Sequence, residues 1–216
     1  MPSTSSTNEL VSLGAAIVLR DGSQVRIRQG HRSDRELLLR GFERLSPRSR
    51  YRRFLAPVSE LTEEMVRYLT EIDHHDHEAM IALDERTGEG VGVARYVRDP
   101  DRPDIAEVAV TVIDDWQGRG LGTVLLEVIS ARAREEGITT FTALMLATNQ
   151  EMMDLLAQLD PMRVLDRETG RVEIEVQLPP IGLAPALQKL IRIAARHDVA
   201  VPLVDQSGPR RIAGDG

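Results

Sequence analysis

The segment IAEVAVTVIDDWQGRGLGTVLLEVISARAREEG, residues 105–137, combines an apolar strand, a glycine-rich turn and an amphipathic helix. The strand covers Ile105 to Ile113, and the helix covers residues 121–136, with its apolar side chains spaced to form one stripe. In this arrangement, free backbone N–H groups at a helix start converge on an anion, and glycines let the main chain approach it closely. The helix N-terminus adds about half a positive charge. The turn is therefore predicted to bind phosphate.

Two common phosphate-binding motifs do not match this turn. A P-loop requires the triplet Gly-Lys-Ser/Thr, which the sequence lacks. A dinucleotide-binding turn spaces its glycines as G-x-G-x-x-G, whereas here they stand at 118, 120 and 122. A tight strand-to-helix connection without a ligand stays open as an alternative, although the glutamine and the arginine in the turn favour a ligand.

Outside this segment, the sequence predicts three helices and three strands upstream, followed by a strand, a helix and a strand downstream. Helix starts are marked by the capping pattern Ser33-x-x-Glu36, by Ser46-Pro47 and by Thr62. The predicted helices are 33–43, 46–53, 62–71 and 149–159, and the predicted strands are 24–28, 79–83, 91–97, 139–146 and 171–178. Hairpins early in the chain and a strand–helix–strand unit later predict an α/β fold with a mixed sheet.

Composition excludes several classes of protein. The chain has 216 residues and no cysteine, which excludes disulfides, thiolate nucleophiles and cysteine-ligated zinc. No apolar run approaches the ~20 residues that span a bilayer, and the first residues do not resemble a signal peptide, so we expect a cytoplasmic protein without membrane attachment. The net charge of −7 argues against nucleic acid as a partner.

The chain divides into three parts. Residues 1–23 are predicted to be a flexible lead-in, although Leu13 to Leu19 has the pattern of a short strand. Residues 24–178 form the predicted domain. Residues 179–216 form an extension with a basic amphipathic helix, Ala186 to Arg196, which is expected to dock on its own domain or on a second copy of the chain as a homodimer.

The turn and its context resemble a known family. Gln-x-x-Gly-x-Gly at Gln117, Gly120 and Gly122, between an apolar strand and an amphipathic helix, is similar to the acetyl-CoA signature of the GNAT superfamily of N-acetyltransferases. The resemblance covers residues 24–178 and implies a GNAT-type mixed sheet whose central strands splay apart where acetyl-CoA binds. It also implies that acetyl-CoA is the acyl donor and that no metal takes part.

The resemblance further implies which residues hold acetyl-CoA. The backbone of the strand before the turn should contact the pantetheine arm, and an asparagine that opens the next helix should touch it as well. The turn should surround the pyrophosphate. The implied residues are Val110, Thr111 and Val112 in the strand, Gln117, Gly118, Arg119, Gly120, Leu121, Gly122 and Thr123 in the turn, and Asn149 in the later helix.

Glu107 is the candidate general base. Amide formation needs a neutral amine, yet an alkylammonium has a pKa near ~10.4, so a nearby carboxylate must remove a proton. Glu107 lies in mid-strand, ten residues before Gln117, and there resembles the glutamate that serves as base in protein-acetylating GNAT enzymes. The alternative is an exposed residue on the solvated face of a sheet, but alternation groups Glu107 with largely apolar residues.

The chain departs from the family pattern at Leu156, where many members have a tyrosine that protonates the departing thiolate. Without it, the thiolate must leave unaided or take a proton from water. The pattern Asn149-x-x-Met152 and the segment Arg52-Arg53-Phe54 resemble bacterial protein-lysine acetyltransferases, some of which modify acyl-CoA synthetases. We therefore expect acetylation of a protein lysine by direct attack in a ternary complex. Two alternatives are a small-molecule amine acetyltransferase and a non-catalytic acyl-CoA sensor.

Three other features have less specific interpretations. The run at residues 73–78, DHHDHE, has metal-ligand chemistry, but consecutive residues rarely converge on one ion, so a solvated connection is favoured. The arginines of residues 44–53 are expected to be a solvated helical face, with substrate docking as the alternative. Trp116 is expected to anchor the glycine turn against the core.

Overall fold

The structure is a computed structural model, and it describes residues 16–159, 162–168 and 170–179. Two expectations lie outside these residues: the character of residues 1–15 and the amphipathic helix of the C-terminal extension. Within the described ranges, no helix combines the length and the apolar character that crossing a membrane requires.

Among the described residues, eight strands form one sheet. Their order is β1-β2-β3-β4-β5-β6-β8-β7, and every neighbouring pair is antiparallel except β5 and β6, which are parallel. The strands are β1 Ala16–Val18, β2 Gln24–Gln29, β3 His77–Asp84, β4 Gly90–Arg98, β5 Ile105–Val112, β6 Thr140–Leu146, β7 Arg163–Glu168 and β8 Arg171–Gln177. The predicted mixed α/β sheet is confirmed.

Two strands differ from the prediction. Strand β1 lies inside the predicted lead-in and pairs with β2, so the sheet begins before residue 24. Strand β7 was not predicted. It lies at the edge of the sheet with Arg163 to Arg167 all exposed, so its sequence lacks the alternation of buried and exposed side chains that identifies a strand.

Within the part of the chain that the structure describes, five α-helices flank the sheet. They are α1 Arg35–Glu43, α2 Pro47–Phe54, α3 Glu63–Thr70, α4 Leu121–Glu135 and α5 Gln150–Leu156. The predicted caps of α2 and α3 are present, because the side chains of Ser46 and Thr62 accept backbone N–H groups three residues later. The predicted cap at Ser33 is wrong. That residue lies in a 3-10 turn, where Asp34 instead accepts the N–H of His31 at 2.8 Å.

Helix α4 covers one face of the sheet. It contacts β3, β4 and β5 through its predicted apolar stripe, whose members are all buried. A Cβ on Gly92 in β4 would lie 2.9 Å from Leu125 Cδ1, which is closer than packed atoms allow. Glycine at this position therefore permits the close approach of α4 to the sheet, while α1, which contacts β4, lies on the other side.

Candidate functional site

The site begins where β5 and β6 separate. Their parallel pairing ends at Glu107 and Thr142, and the remainder of β5 has no pairing with β6. A cleft of about 720 Å³ opens there, with residues 108–112 of β5 on one wall and residues 143–145 of β6 on the other. The predicted splaying of the central strands is confirmed.

The exposed edge of β5 presents backbone polar groups to this cleft. Ile113 N–H donates to Val91 O at 3.1 Å across the antiparallel pair of β5 and β4. Because hydrogen-bonding direction alternates along a strand, the backbone of Thr111 also points to β4, whereas Val110 and Val112 point into the cleft. Thr111 therefore contributes its side chain to the wall, and its backbone does not face the cleft as the resemblance implied. The Val112 carbonyl accepts Gln117 Nε2 at 3.0 Å.

The glycine turn places unsatisfied amides at one end of the cleft. Gly118 and Gly120 have φ of +75° and +90°, in the left-handed region that favours glycine. Gly120 is the N-cap of α4 and provides no side-chain cap. Within the described part of the chain, the backbone N–H groups from Gly118 to Thr123 donate no hydrogen bond. Such a set of amides at a helix N-terminus is suited to an anion.

Gln117 and Asp114 fasten the turn to α2. Gln117 Nε2 bonds the Val112 carbonyl and also lies 3.4 Å from Ser49 Oγ. The Asp114 carboxylate accepts the N–H of Ser46 at 2.9 Å, the hydroxyl of Ser46 at 2.7 Å and that of Ser49 at 3.0 Å. Burial opposes ionisation of Asp114, but these hydrogen bonds outweigh it and lower the pKa of the carboxyl below its ordinary value.

This arrangement predicts a specific loss of stability in acid. Because the folded-state pKa of Asp114 is depressed, its contribution is present above the unfolded value of ~3.9 and is lost as pH falls through the lower folded value. We expect Asp114→Asn to lower the free energy of unfolding by about 1 kcal/mol at pH 7. Below pH 4, the variant should lose less further stability than the wild type does. Urea unfolding at several pH values measures both effects. If the variant loses as much stability below pH 4 as the wild type does, the role given to the Asp114 carboxylate is refuted.

The two arginines at the turn have different environments. The Arg119 guanidinium forms an ion pair with Asp21 at 3.0 Å, bonds the Asp115 carbonyl at 2.5 Å and stacks 4.7 Å from the centre of the Trp116 ring. Its charge is thus engaged outside the cleft, and Trp116 is buried against the core, as predicted. Arg20, which sequence reasoning did not single out, lines the cleft and lies against Gly120.

No sequence signal could have identified Arg20. It follows β1 in the segment assigned to the lead-in, and its N–H donates to Arg119 O at 3.3 Å, which holds the β1–β2 hairpin against the turn. The side chain is exposed and forms no ion pair with any described residue. Its position depends on the pairing of β1, which only the tertiary structure reveals.

Helix α5 forms the far side of the cleft. Asn149 caps it, with Oδ1 accepting the N–H of Met152 at 3.4 Å, and lines the cleft beside Met152 and Leu155. Leu156, the position where relatives of the family have tyrosine, is fully buried in the core and does not line the cleft.

Glu107 lies at the point of separation itself. Its neighbours Ala106 and Val108 are buried, while Glu107 is exposed and forms part of the cleft wall. The charge therefore faces an open cleft, which agrees with the expectation that a mid-strand carboxylate needs a polar surrounding. Arg53 and Arg95 are the cations on which its charge acts.

The favoured interpretation of residues 73–78 as a solvated connection is only partly correct, because one member of this run of acidic residues and histidines is buried. Glu78 is fully buried, accepts hydrogen bonds from Gln29 Nε2 and Ala79 N at 2.9 Å, and contacts His74 Nδ1 at 2.9 Å and Arg132 Nε at 3.3 Å. This buried ionic network joins β3 to α4. The described residues contain no group of three or more side chains arranged to hold a metal ion.

Comparison with known proteins agrees with this geometry. The model of the GNAT acetyltransferase family matches residues 43–160. The chain is 33% identical over 175 residues to Acetyltransferase Pat of Mycolicibacterium smegmatis, covering 81% of this chain and 52% of that protein. It is 36% identical over 143 residues to Acetyltransferase PA5475 of Pseudomonas aeruginosa, covering 65% of this chain and 76% of that protein.

A solved structure shows the same fold. The GNAT domain of S. lividans PAT superposes with a TM-score of 0.69 at 36% identity, over 76% of this chain and 96% of that domain. This chain spans about half the length of the Mycolicibacterium relative. Together with the open cleft between β5 and β6 and the amides of the glycine turn, these matches show that the chain belongs to the GNAT family of acetyltransferases.

Proposed function

We propose that this protein transfers the acetyl group of acetyl-CoA to a primary amine, and that the amine belongs to a lysine side chain of a protein. The observation that carries the proposal is the cleft between β5 and β6, which has unsatisfied amides at the glycine turn and a carboxylate, Glu107, where the strands separate. One end suits a diphosphate, and the other suits an amine.

In this proposal, the cleft holds the pyrophosphate and the pantetheine arm of acetyl-CoA. The amides of Gly118 to Thr123 and the N-terminus of α4 take the pyrophosphate. The pantetheine arm lies along the open edge of β5, where the backbone of Val110 and Val112 can pair with its amides, and Asn149 faces it from α5. The N–H of Val110 then polarises the thioester carbonyl and stabilises the oxyanion that forms there.

Glu107 acts as the general base in this proposal. It removes a proton from the acceptor ammonium, directly or through one water, and the neutral amine attacks the thioester carbon in a ternary complex. The new C–N bond forms as the C–S bond breaks, the nitrogen releases its second proton to water, and the thiolate takes a proton from water. A thiol pKa of ~8.5 lies below the amine value of ~10.4, so the thiolate leaves without a tyrosine acid.

A protein lysine is favoured over a small amine for two reasons. Glu107 is exposed at the cleft wall, where a lysine on another protein can reach it. The resemblance at Asn149, Met152 and residues 52–54 points to the protein-acetylating branch, for which an acyl-CoA synthetase is the substrate that we propose. A cytoplasmic location is the matching proposal for such an enzyme. The sensor alternative rests on Leu156, and a protein that binds acetyl-CoA but acetylates nothing would support it.

The test is acetyl transfer from labelled acetyl-CoA. Purified protein is incubated with acyl-CoA synthetases and, in parallel, with a panel of polyamines, amino acids and aminoglycosides, and transfer is followed by mass spectrometry. We expect stoichiometric labelling of a lysine in a protein acceptor. Turnover confined to small amines would select the small-molecule alternative.

Arg20 is predicted to contribute to acetyl-CoA binding. Because its guanidinium lines the cleft at Gly120 without an ion-pair partner among the described residues, we expect Arg20→Ala to raise the Kd for acetyl-CoA about three- to tenfold at low salt, and less at high salt. Calorimetry at two salt concentrations measures this. Arg119→Ala is the matched control, since its charge is already paired with Asp21. Equal effects of the two substitutions would contradict the prediction.

A further inference from the structure

Two arginine side chains lie together beside Glu107 without a paired carboxylate. Arg95 is 5% exposed, and its contacts are the Tyr68 carbonyl at 3.4 Å, the Tyr68 ring at 5.1 Å and His77 Nε2. Arg53 is half-buried and lies 5.3 Å from the centre of the Phe54 ring. Within the described residues, neither guanidinium forms an ion pair, although most other arginines of the sheet and helices do so.

These two cations act on each other through a poorly solvated region. Burial lowers the pKa of Arg53, and burial followed by repulsion from Arg53 lowers the pKa of Arg95 to about 10. His77, which contacts Arg95, does not neutralise it. Burial and the Arg95 charge lower the pKa of His77 to about 4, so the imidazole is uncharged at pH 7. Both arginines stay protonated at pH 7, so two positive charges face the single negative charge of Glu107.

Retaining a buried and a half-buried cation beside a single carboxylate is costly unless a ligand supplies the missing charge. Both arginines line an apolar cavity of about 120 Å³ under α1, α2 and α3, and Arg53 also lines the acetyl-CoA cleft. The two spaces therefore meet at Arg53. A planar guanidinium binds a carboxylate through two parallel hydrogen bonds, which a single Lys could not do.

The register of β4 and β5 places the Arg95 side chain next to the position where the acceptor amine would react. Arg95 lies opposite Ala109 and Val97 lies opposite Glu107, so Arg95 and Glu107 share one face of the sheet and are two positions apart along the strands. A ligand whose amine is held at Glu107 can therefore place a neighbouring group at the arginines. When Glu107 accepts the proton of the amine and loses its charge, a carboxylate on the ligand would replace that negative charge beside the two cations.

We infer that Arg53 and Arg95 form a carboxylate-binding site for the acceptor, so that the preferred amine is one that carries an acidic group close to it. This inference rests on the proposed function and names its substrate class. The carboxylate can come from a glutamate or aspartate beside the target lysine, or from a free amino acid.

Matched acceptors test the inference in the wild-type protein. One pair of peptides carries a lysine flanked by glutamate or by glutamine, and one pair of small molecules is an amino acid and its carboxamide. We expect KM to be at least tenfold lower for the acidic member of one pair, because hydrogen bonds to a charged group are worth about 1.5–3 kcal/mol. The pair that discriminates identifies the source of the carboxylate.

Substitutions then locate the effect. Arg53→Gln and Arg95→Gln should each lower the ratio of kcat/KM for the acidic acceptor to kcat/KM for the neutral acceptor about tenfold or more. Arg48→Gln, which removes an exposed charge from the same helix α2, should preserve the discrimination. Because Arg95 is buried and its replacement can impair folding, Arg53→Lys serves as a second variant that keeps the charge but loses the paired hydrogen bonds.

The possible outcomes separate this inference from the proposed function. If acidic and neutral acceptors are acetylated equally well, the carboxylate site is wrong and the acetyltransferase proposal stands. If neither is acetylated by protein that binds acetyl-CoA, the proposed function fails. In that case calorimetry with the acetylated product peptides still decides the inference, because the glutamate peptide should bind at least tenfold more tightly than the glutamine peptide.

Discussion

Replacement of Glu107 by glutamine is expected to lower kcat about 100- to 10,000-fold at pH 7, with the Kd for acetyl-CoA unchanged. Glutamine keeps the shape of the side chain and removes the only group that we assign to deprotonation of the amine. The loss should shrink as pH rises towards ~10.4, because the fraction of free amine then grows without help from the enzyme. Steady-state rates across pH 6 to 10, with calorimetry for binding, measure both effects.

Glu151→Gln is the matched control for this substitution. Glu151 also lines the cleft, but it is paired with Arg52 at 2.9 Å and lies on α5, away from the separation of β5 and β6. We expect kcat of this variant to stay within about threefold of wild type, since the ion pair is exposed and weak. If Glu107→Gln retains full turnover at pH 7, the assignment of the general base is wrong.

Substitution of Gly120 by alanine should weaken acetyl-CoA binding about five- to thirtyfold. Gly120 has φ of +90°, and an alanine there costs about 1–2 kcal/mol in the left-handed conformation. A Cβ at this position would also lie 3.3 Å from Arg20 Nε, so the substitution is expected to shift the turn amides and the Arg20 side chain from the positions that suit a diphosphate. A titration of acetyl-CoA followed by calorimetry measures the change in Kd.

Gly88→Ala controls for backbone strain alone. Gly88 has φ of +71°, and no atom lies within 4 Å of the position that its Cβ would occupy, yet it belongs to the turn between β3 and β4, outside the cleft. We expect a similar loss of stability and an unchanged Kd. Equal losses of affinity in the two variants would mean that the glycine turn does not bind the diphosphate through its conformation.

The parts of the fold that sequence analysis predicted correctly depend on local patterns. The apolar stripe of α4 and the alternation in β5 repeat at the period of their own element, and the caps at Ser46 and Thr62 act within four residues. Such signals are complete within a short window of sequence. The splaying of the central strands was predicted instead from the family resemblance, since it involves distant segments, and the pairing order of the sheet was not predicted.

The parts that were missed depend on contacts between distant segments. Arg20 reaches the turn only because β1 pairs with β2, and Glu78 is buried only because Arg132 comes from α4 to meet it. Strand β7 carries exposed side chains on both faces and gives no periodic signal. The catalytic role of Glu107 and the contacts of the glycine turn with a ligand stay predictions. The structure shows where these residues lie.

The unpaired edge of β5 has a consequence for how this protein can vary. The groups that Val110 and Val112 turn towards the cleft are main-chain atoms, which every residue except proline possesses. Exchange among branched apolar side chains on this wall would leave those atoms in place. Such exchanges are therefore expected to be tolerated along this wall, whereas the left-handed positions Gly118 and Gly120 of the turn favour glycine. The recognisable signature of the protein therefore lies in the six residues of the turn that follows the strand, residues 117–122, and not in the strand itself.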